Sequence, residues 1–238
     1  MKRLILAFIA GLLLVWYPLQ AQRVLYIGDS VTDGGWGRSG GNMTPSNQRN
    51  LKDLNHIYGH SYMMLCASDL QSRYPGEELT FYNRGISGDT VQGMLKRWDE
   101  DAIALKPGTL TLLVGINDAM QRSFDIKAWE KGYRELLDRT LAALPGCRIV
   151  LCTPFFAKVG GHGHRRDADT ILDRVQQQAA IVRTLAQEYG TTLVPFDTMF
   201  EDLVPGGPSE TYWIWDGVHP TPAGHRRMAD LWESLVRK

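Results

Sequence analysis

Cysteine is scarce: Cys66, Cys147 and Cys152 are the only three in 238 residues, an odd number that does not describe a disulfide framework. Cys147 and Cys152 bracket a run that reads as a strand and would stand about 16 Å apart along it, beyond disulfide reach. The expected role of all three is that of small buried apolar residues, and none has the Cys-x-x-Cys spacing of a metal or redox site. Charge of one sign is missing as well. Lys plus Arg number 26 and so do Asp plus Glu, so no net field draws the chain to nucleic acid or to an anionic membrane. A membrane-spanning helix takes about 20 apolar residues, and the apolar run at residues 4–17 has 14. That run follows Met1-Lys2-Arg3 and precedes Pro18-Leu19-Gln20-Ala21, the layout of a secretory signal peptide. No cysteine follows it to carry a lipid. Residues 1–21 are therefore expected to be a removed leader, with export to the periplasm or beyond and a mature chain from Gln22. No repeat and no linker divides residues 22–238, whose length suits one core.

Short β-prone runs stand at residues 23–27, 79–82, 110–114, 149–152 and 192–194. Helix-like stretches lie between them at residues 58–73, 90–105, 125–144 and 168–189. In the third, Ala128, Tyr133, Leu136, Leu137, Leu141 and Leu144 fall on one helical face, and Pro145-Gly146 ends it. Strands alternating with helices imply parallel βαβ units and a three-layer α/β sheet, and nearly continuous apolar strands fit a sheet covered on both faces.

Two segments fit neither element: residues 32–55, rich in Gly, Asn and Ser, and residues 155–167, which contain Gly160-Gly161-His162-Gly163-His164. Both follow the carboxyl end of a strand, where open α/β sheets place ligands, and loops this long tend to be functional or mobile. Two patterns in the first are decoys. Gly35-Trp36-Gly37-Arg38-Ser39-Gly40 fits the dinucleotide fingerprint, and Gly37-Arg38-Ser39-Gly40-Gly41 fits the nucleophile elbow. Neither leaves a strand directly or opens a helix, which is what gives those motifs their function.

Gly28-Asp29-Ser30 is placed differently, where the first strand ends, so that Ser30 projects over the edge of the sheet. A serine hydroxyl attacks only when a base takes its proton, and an imidazole base needs a carboxylate to set its tautomer. Asp216-Gly217-Val218-His219-Pro220 offers both, with Thr221 as N-cap and Pro222 at the first helical position to make the segment rigid. Taken alone it is equally a helix-capping turn bearing a surface histidine. Acyl transfer also needs donors for an oxyanion. A backbone N–H at Gly88, after the second strand, and the side-chain amide of Asn117, after the third, are suitable. Gly88 alone reads as a turn glycine, and Asn117 as a cap of the following helix. Together they say more than singly: all these segments lie at strand ends or beside the last helix, where they can share one crevice.

In this order GDSVTD at Ser30, NRGISGDT at Gly88, GIND at Asn117 and DGVHP at Asp216 and His219 resemble the four blocks of the SGNH (GDSL-type) hydrolases, over a span from about Arg23 to the C-terminus. The resemblance implies a flavodoxin-like α/β/α sandwich on a mostly parallel five-stranded sheet. It implies Ser30 as nucleophile, His219 as general base and Asp216 as its orienting carboxylate. The oxyanion hole would be the N–H groups of Ser30 and Gly88 with the Asn117 amide. No metal or organic cofactor is implied. The stretches RGISGDTVQGMLKRWDEDAIALKPG, LLVGINDA and WDGVHPTPAGH are most similar to those of bacterial acetylxylan esterases, while the loop after Ser30 is longer and richer in Gly and Asn. The implied substrate is a small-molecule or glycan ester. A lysophospholipase or thioesterase on the same triad, and a glycan-binding module with a dead site, are the rival readings.

Other residues have weaker claims. His162 and His164 could ligate a metal but lack an evident third ligand, and His225 reads as a surface or helix-face residue. Asp29 and Asp33 flank the nucleophile and are expected to hold the loop by backbone hydrogen bonds, because a carboxylate beside the attacking oxygen opposes charge development. Trp213 and Trp215 alternate, so in an extended segment they share a side, either as core packing or as a platform for a sugar ring.

Overall fold

Strands β1 (Arg23–Gly28), β2 (Thr80–Asn83), β3 (Thr109–Leu113), β4 (Arg148–Cys152) and β5 (Thr192–Val194) form one sheet, every neighbouring pair parallel, in the order β2-β1-β3-β4-β5. The computed structural model describes residues 23–35 and 59–237. The expected leader, most of the first long loop and both glycine patterns beyond Gly35 lie outside the described residues. The helices are α1 (Ser30–Asp33), α2 (Tyr62–Arg73), α3 (Val91–Trp98), α4 (Ile116–Ala119), α5 (Ile126–Ala143), α6 (Gly160–Gly163), α7 (Ala168–Glu188), α8 (Phe196–Leu203), α9 (Glu210–Trp213) and α10 (Pro222–Val236).

Alternation along the strands builds the layers. Val24 and Tyr26 pack on α2, α8 and α10 through Cys66, Leu70, Phe196 and Trp232. Leu25 and Ile27 point the other way, onto α3, α5 and α7 through Met94, Trp98, Tyr133 and Val182. Both faces are covered, which is why the strands read as apolar throughout. Asn83, Thr109 and Thr111 are buried polar exceptions, and Thr111 accepts the Trp232 indole N–H at 3.0 Å. This is the expected three-layer α/β/α arrangement, and its strand order is the flavodoxin-like one.

Local details differ from the sequence pattern. The second helical stretch ends at Trp98 and continues as a π-turn over Asp99–Ile103. Asp125 caps α5 through the Ala128 N–H, which sets the helix phase so that Trp129, Gly132, Tyr133, Leu136, Leu137 and Thr140 are buried and Ala128 is exposed. Gly132 is required there, since a Cβ would lie 2.7 Å from Val91. The segment after β4 is not an open loop; it closes into α6 against the residues before α10. All three cysteines are free, with Cys66 and Cys152 buried.

The connection from β1 runs to one sheet edge and the chain returns past β1 to β3, so the strand order reverses beside β1 and leaves a crevice at the carboxyl ends. α1 begins in that crevice. The Asp29 carboxylate accepts the Val31 N–H at 3.0 Å and caps it, and Gly34 closes it in the left-handed region, φ +60. Gly28 leaves no space for a side chain: a Cβ would lie 2.4 Å from Thr32 Oγ1 and 2.6 Å from the Leu113 carbonyl. Gly28→Ala is therefore expected to cost about 1–3 kcal/mol, lowering the Tm by several degrees. Because the clash is with α1, it should also displace Ser30 and reduce turnover of p-nitrophenyl acetate. A wild-type Tm with wild-type turnover would contradict the close packing.

Candidate active site

Ser30 is the first residue of α1, and its N–H, at the start of the helix, has no preceding turn to bond to. Its Oγ lies 2.8 Å from His219 Nε2, and His219 Nδ1 lies 2.7 Å from Asp216 Oδ2. An ionised carboxylate only accepts hydrogen bonds, so Nδ1 carries the ring proton and Nε2 presents a lone pair to the serine hydroxyl. The other carboxylate oxygen of Asp216 accepts the N–H groups of Val218 at 2.9 Å and His219 at 2.7 Å. Burial alone would push the Asp216 carboxyl up, but the His219 backbone and ring and the Val218 N–H outweigh it, and the carboxyl is held below its ordinary value.

A small antiparallel bridge, Ile214 with Pro220, presents this turn. Gly217 has φ +98, and a Cβ there would meet Ala157 O, Gly163 N and Val159 O at 2.8 Å. The glycine-rich segment expected as a loop is thus the packing surface of Asp216: the His162 N–H donates to the Asp216 carbonyl at 2.8 Å and the Ala157 N–H to the Gly217 carbonyl at 2.9 Å. Thr221 caps α10 through the Gly224 N–H, with Pro222 at the first position.

Gly88 has φ +84 with open space where a Cβ would be. It sits in a turn closed by the Asp89 N–H donating to the Ile86 carbonyl. Asn117 donates one amide N–H to the Asp89 carbonyl at 3.0 Å, and its other N–H has no partner among the described residues. The strand order β2-β1-β3 sets Gly88, Ser30 and Asn117 on three adjacent strand ends.

Sequence reasoning missed the residue that joins these ends. The Arg97 guanidinium binds Asp89 at 2.6 Å and Asp101 at 2.7 Å, and donates to the carbonyls of Arg84 at 2.8 Å and Gly28 at 3.4 Å. Its four-residue spacing to Asp101 on a helical stretch was the available signal. Asp29 holds the turn through backbone as expected, but Asp33 does so through a side chain, accepting the Ser87 hydroxyl at 2.9 Å. Burial pushes Asp29 up to about 7, with the Val31 N–H opposing and the Asp118 and Asp89 carboxylates adding. Burial likewise takes Asp118 to about 7.

A cleft of about 350 Å³ opens beside Ser30, lined among others by His60, Ser87, Trp215, His219 and His225. The two tryptophans part. Trp213 ends α9 and packs on the core. Trp215 is 61% exposed, its ring tilted 28° from that of His219 at 6.4 Å. His225 is not a surface residue; its ring is half-buried in the cleft wall because its Nδ1 accepts the Tyr62 N–H of α2 at 3.1 Å. His164 is exposed, but the ligand atoms of His162, Asp216 and His219 lie within 4.8 Å of one another. A cation there would compete with the 2.7 Å bond between Asp216 and His219.

The family model described as GDSL-like Lipase/Acylhydrolase matches residues 26–227. The chain belongs to this family. It is an SGNH-type carboxylic ester hydrolase. An acetylxylan esterase of Geobacillus stearothermophilus is 30% identical over 222 residues, 87% of this chain and 90% of the relative. Among solved structures, a Parabacteroides merdae protein described as a GDSL-like lipase superposes with TM-score 0.79 at 30% identity, covering 92% of this chain and 96% of that one. The G. stearothermophilus acetylxylan esterase Axe2 gives 0.74 at 27%, covering 90% and 93%. Among the described residues no helix of this GDSL-family chain is long and apolar enough to cross a membrane.

Asp29 yields a stability test. The folded chain keeps its proton up to about pH 7, whereas an unfolded aspartate ionises near 4. Its contribution is complete below about pH 4 and is lost as pH rises through 7. Asp29→Asn keeps an acceptor for Val31 and removes the titration, so the Tm of the variant relative to wild type is expected to rise by a few degrees between pH 5 and pH 8. An equal difference at both pH values would show that Asp29 titrates as an ordinary aspartate.

Proposed function

We propose that this chain is an exported carbohydrate O-acetyl esterase acting through Ser30, His219 and Asp216. The observation that carries the reading is the unbroken hydrogen-bonded chain from Asp216 through His219 to Ser30 at the wall of a cleft. Ser30 Oγ attacks the acyl carbon as its proton passes to His219 Nε2, and Asp216 stabilises the imidazolium. The N–H groups of Ser30 and Gly88 and the Asn117 amide take the oxyanion. Collapse breaks the ester bond, and His219 gives the proton to the departing alcohol. Water, deprotonated by the same imidazole, then releases acetate and restores Ser30.

The reading has three supports. An acetylxylan esterase of Geobacillus stearothermophilus is a relative both by sequence and among the solved structures. Three Axe2 structures described as catalytic mutants replace a serine, an aspartate and a histidine, the last two with the three-residue spacing of Asp216 and His219. The space beside α1, lined by Asp29, Val31, Leu113, Ile116, Pro154, Phe155 and Val218, amounts to about 10 Å³, about what one water fills, so it offers no groove for a long acyl chain. On the alcohol side, the exposed Trp215 ring offers a face for a sugar. An expected leader at residues 1–21 suits a glycan substrate met outside the cytoplasm.

Ser30→Ala is expected to lower kcat on p-nitrophenyl acetate by several orders of magnitude, on the order of 10⁶ in a serine protease, with an unchanged Tm. Retention of more than a few per cent of turnover would remove Ser30 from the nucleophile role. Across p-nitrophenyl esters, kcat/KM should fall steeply from acetyl to butyryl to octanoyl. A fitting methylene is worth only about 1–3 kcal/mol, so a small pocket discriminates by clash. Acetylated xylo-oligosaccharides should release acetate. Faster turnover of octanoyl or palmitoyl esters would put the lysophospholipase or thioesterase reading in its place.

A further inference from the structure

His225 has a single hydrogen-bond geometry that fixes its chemistry. Tyr62 is the first residue of α2, and the preceding Ser61 spends its hydroxyl on the Thr32 carbonyl and gives that helix no side-chain cap. The free Tyr62 N–H instead donates to His225 Nδ1 at 3.1 Å. A donor facing Nδ1 requires a lone pair there, so the ring hydrogen of the neutral imidazole sits on Nε2. Protonating Nδ1 would set two N–H groups against each other. Burial, together with the nearby imidazoles of His219 and His60, pushes the ring down to about 4, so it stays neutral through the working range of a histidine base. Nε2 has no partner among the described residues, and the ring lines the cleft that Ser30 and His219 also line.

The cleft has a chemical sense of direction. His60, Trp215, His219, Pro220 and Pro222 line it, and it touches the Gly88 turn only at Ser87, so most of its wall lies on the imidazole side of Ser30. The departing alcohol must face the imidazole that protonates it. We infer that His225 is a specificity-determining residue of the alcohol site, its Nε2–H donating to a hydroxyl or ring oxygen of the sugar that bears the ester. The assignment rests on the carbohydrate reading above. A neutral donor suits an uncharged polyol: it is compatible with either lone-pair direction of a sugar oxygen and brings no charge close to His219.

Two variants divide the two ring nitrogens. Asn at 225 keeps an acceptor near the Nδ1 position for Tyr62 and lacks the Nε2–H. Gln at 225 carries an amide N–H near the Nε2 position and lacks the acceptor for Tyr62. His225→Asn should keep the wild-type Tm and lower the ratio of kcat/KM for acetylated xylo-oligosaccharide to kcat/KM for p-nitrophenyl acetate about tenfold, mostly through KM, the loss of about one hydrogen bond. His225→Gln should keep most of that ratio and lose a few degrees of Tm. A His225→Asn ratio equal to wild type overturns the assignment, as does an equal loss on both substrates. Histidine ¹⁵N spectra of the Ser30→Ala protein supply a second readout independent of those variants. They should show the Nε2–H tautomer of His225 and a shift of that resonance on adding acetylated xylo-oligosaccharide. Turnover of the sugar by the wild type with an unmoved His225 resonance leaves the carbohydrate reading standing and sinks this one. No turnover and no movement of His219 or His225 sinks both.

Discussion

Arg97 is half-buried at the carboxyl edge of the sheet, its guanidinium shared between the carboxylates of Asp89 and Asp101 and the carbonyls that end β1 and follow β2. Three loops therefore meet on one planar cation. Asp89 passes the constraint on, because its carbonyl holds Asn117 and its N–H closes the turn that carries Gly88. A guanidinium suits this position better than an ammonium, since its fixed fork reaches several acceptors in one plane. Removing one partner of such a buried set leaves uncompensated charge, typically at a cost of about 3–5 kcal/mol. The positions of Gly88 and Asn117 relative to Ser30 are thus set by an ion pair that touches neither Ser30 nor His219.

The same cation manages the surplus of acid around Ser30. Asp29, Asp33, Asp89, Asp101 and Asp118 all belong to the segments around this edge, and a ring of full negative charges would oppose an oxyanion. Asp89 and Asp101 are paired with Arg97. Burial raises Asp29 and Asp118 to about 7, so near neutral pH each carries only part of a charge. Asp216 goes the opposite way, held ionised by three hydrogen bonds. Two environments set apart the carboxylates that should be charged from those that should not.

The histidine end of the site is built by backbone packing instead. Gly217 in its left-handed conformation and Gly160 each lack room for a Cβ where α6 meets the Asp216 turn; at Gly160 the clash would be with Trp215 O at 2.4 Å and Asp216 Cα at 2.5 Å. Close approach lets main-chain hydrogen bonds grip the turn, which leaves the Nε2 edge of the His219 ring toward Ser30. The cleft is consequently open beside the exposed Trp215, with His225 held in its wall by Tyr62.

The sequence by itself determined the layers and marked the residues that the fold gathers at one edge of the sheet. Parallel strands buried on both faces must be apolar throughout, so their number and approximate limits were legible, and Ser30, Gly88, Asn117, Asp216 and His219 were marked by motifs of local spacing. Tertiary structure decided what depends on contacts distant along the chain. Arg97 meets Gly28 across the sheet edge and His225 meets Tyr62 across two helices, with sequence separations of 69 and 163, and no periodicity records such partners. Residues 155–167 looked like a free loop because glycine is also the residue of flexible turns, whereas here it permits close packing. Trp213 and Trp215 looked equivalent because alternation assumes an extended chain; α9 ends at Trp213, and the change of backbone sends one ring to the core and the other to the cleft.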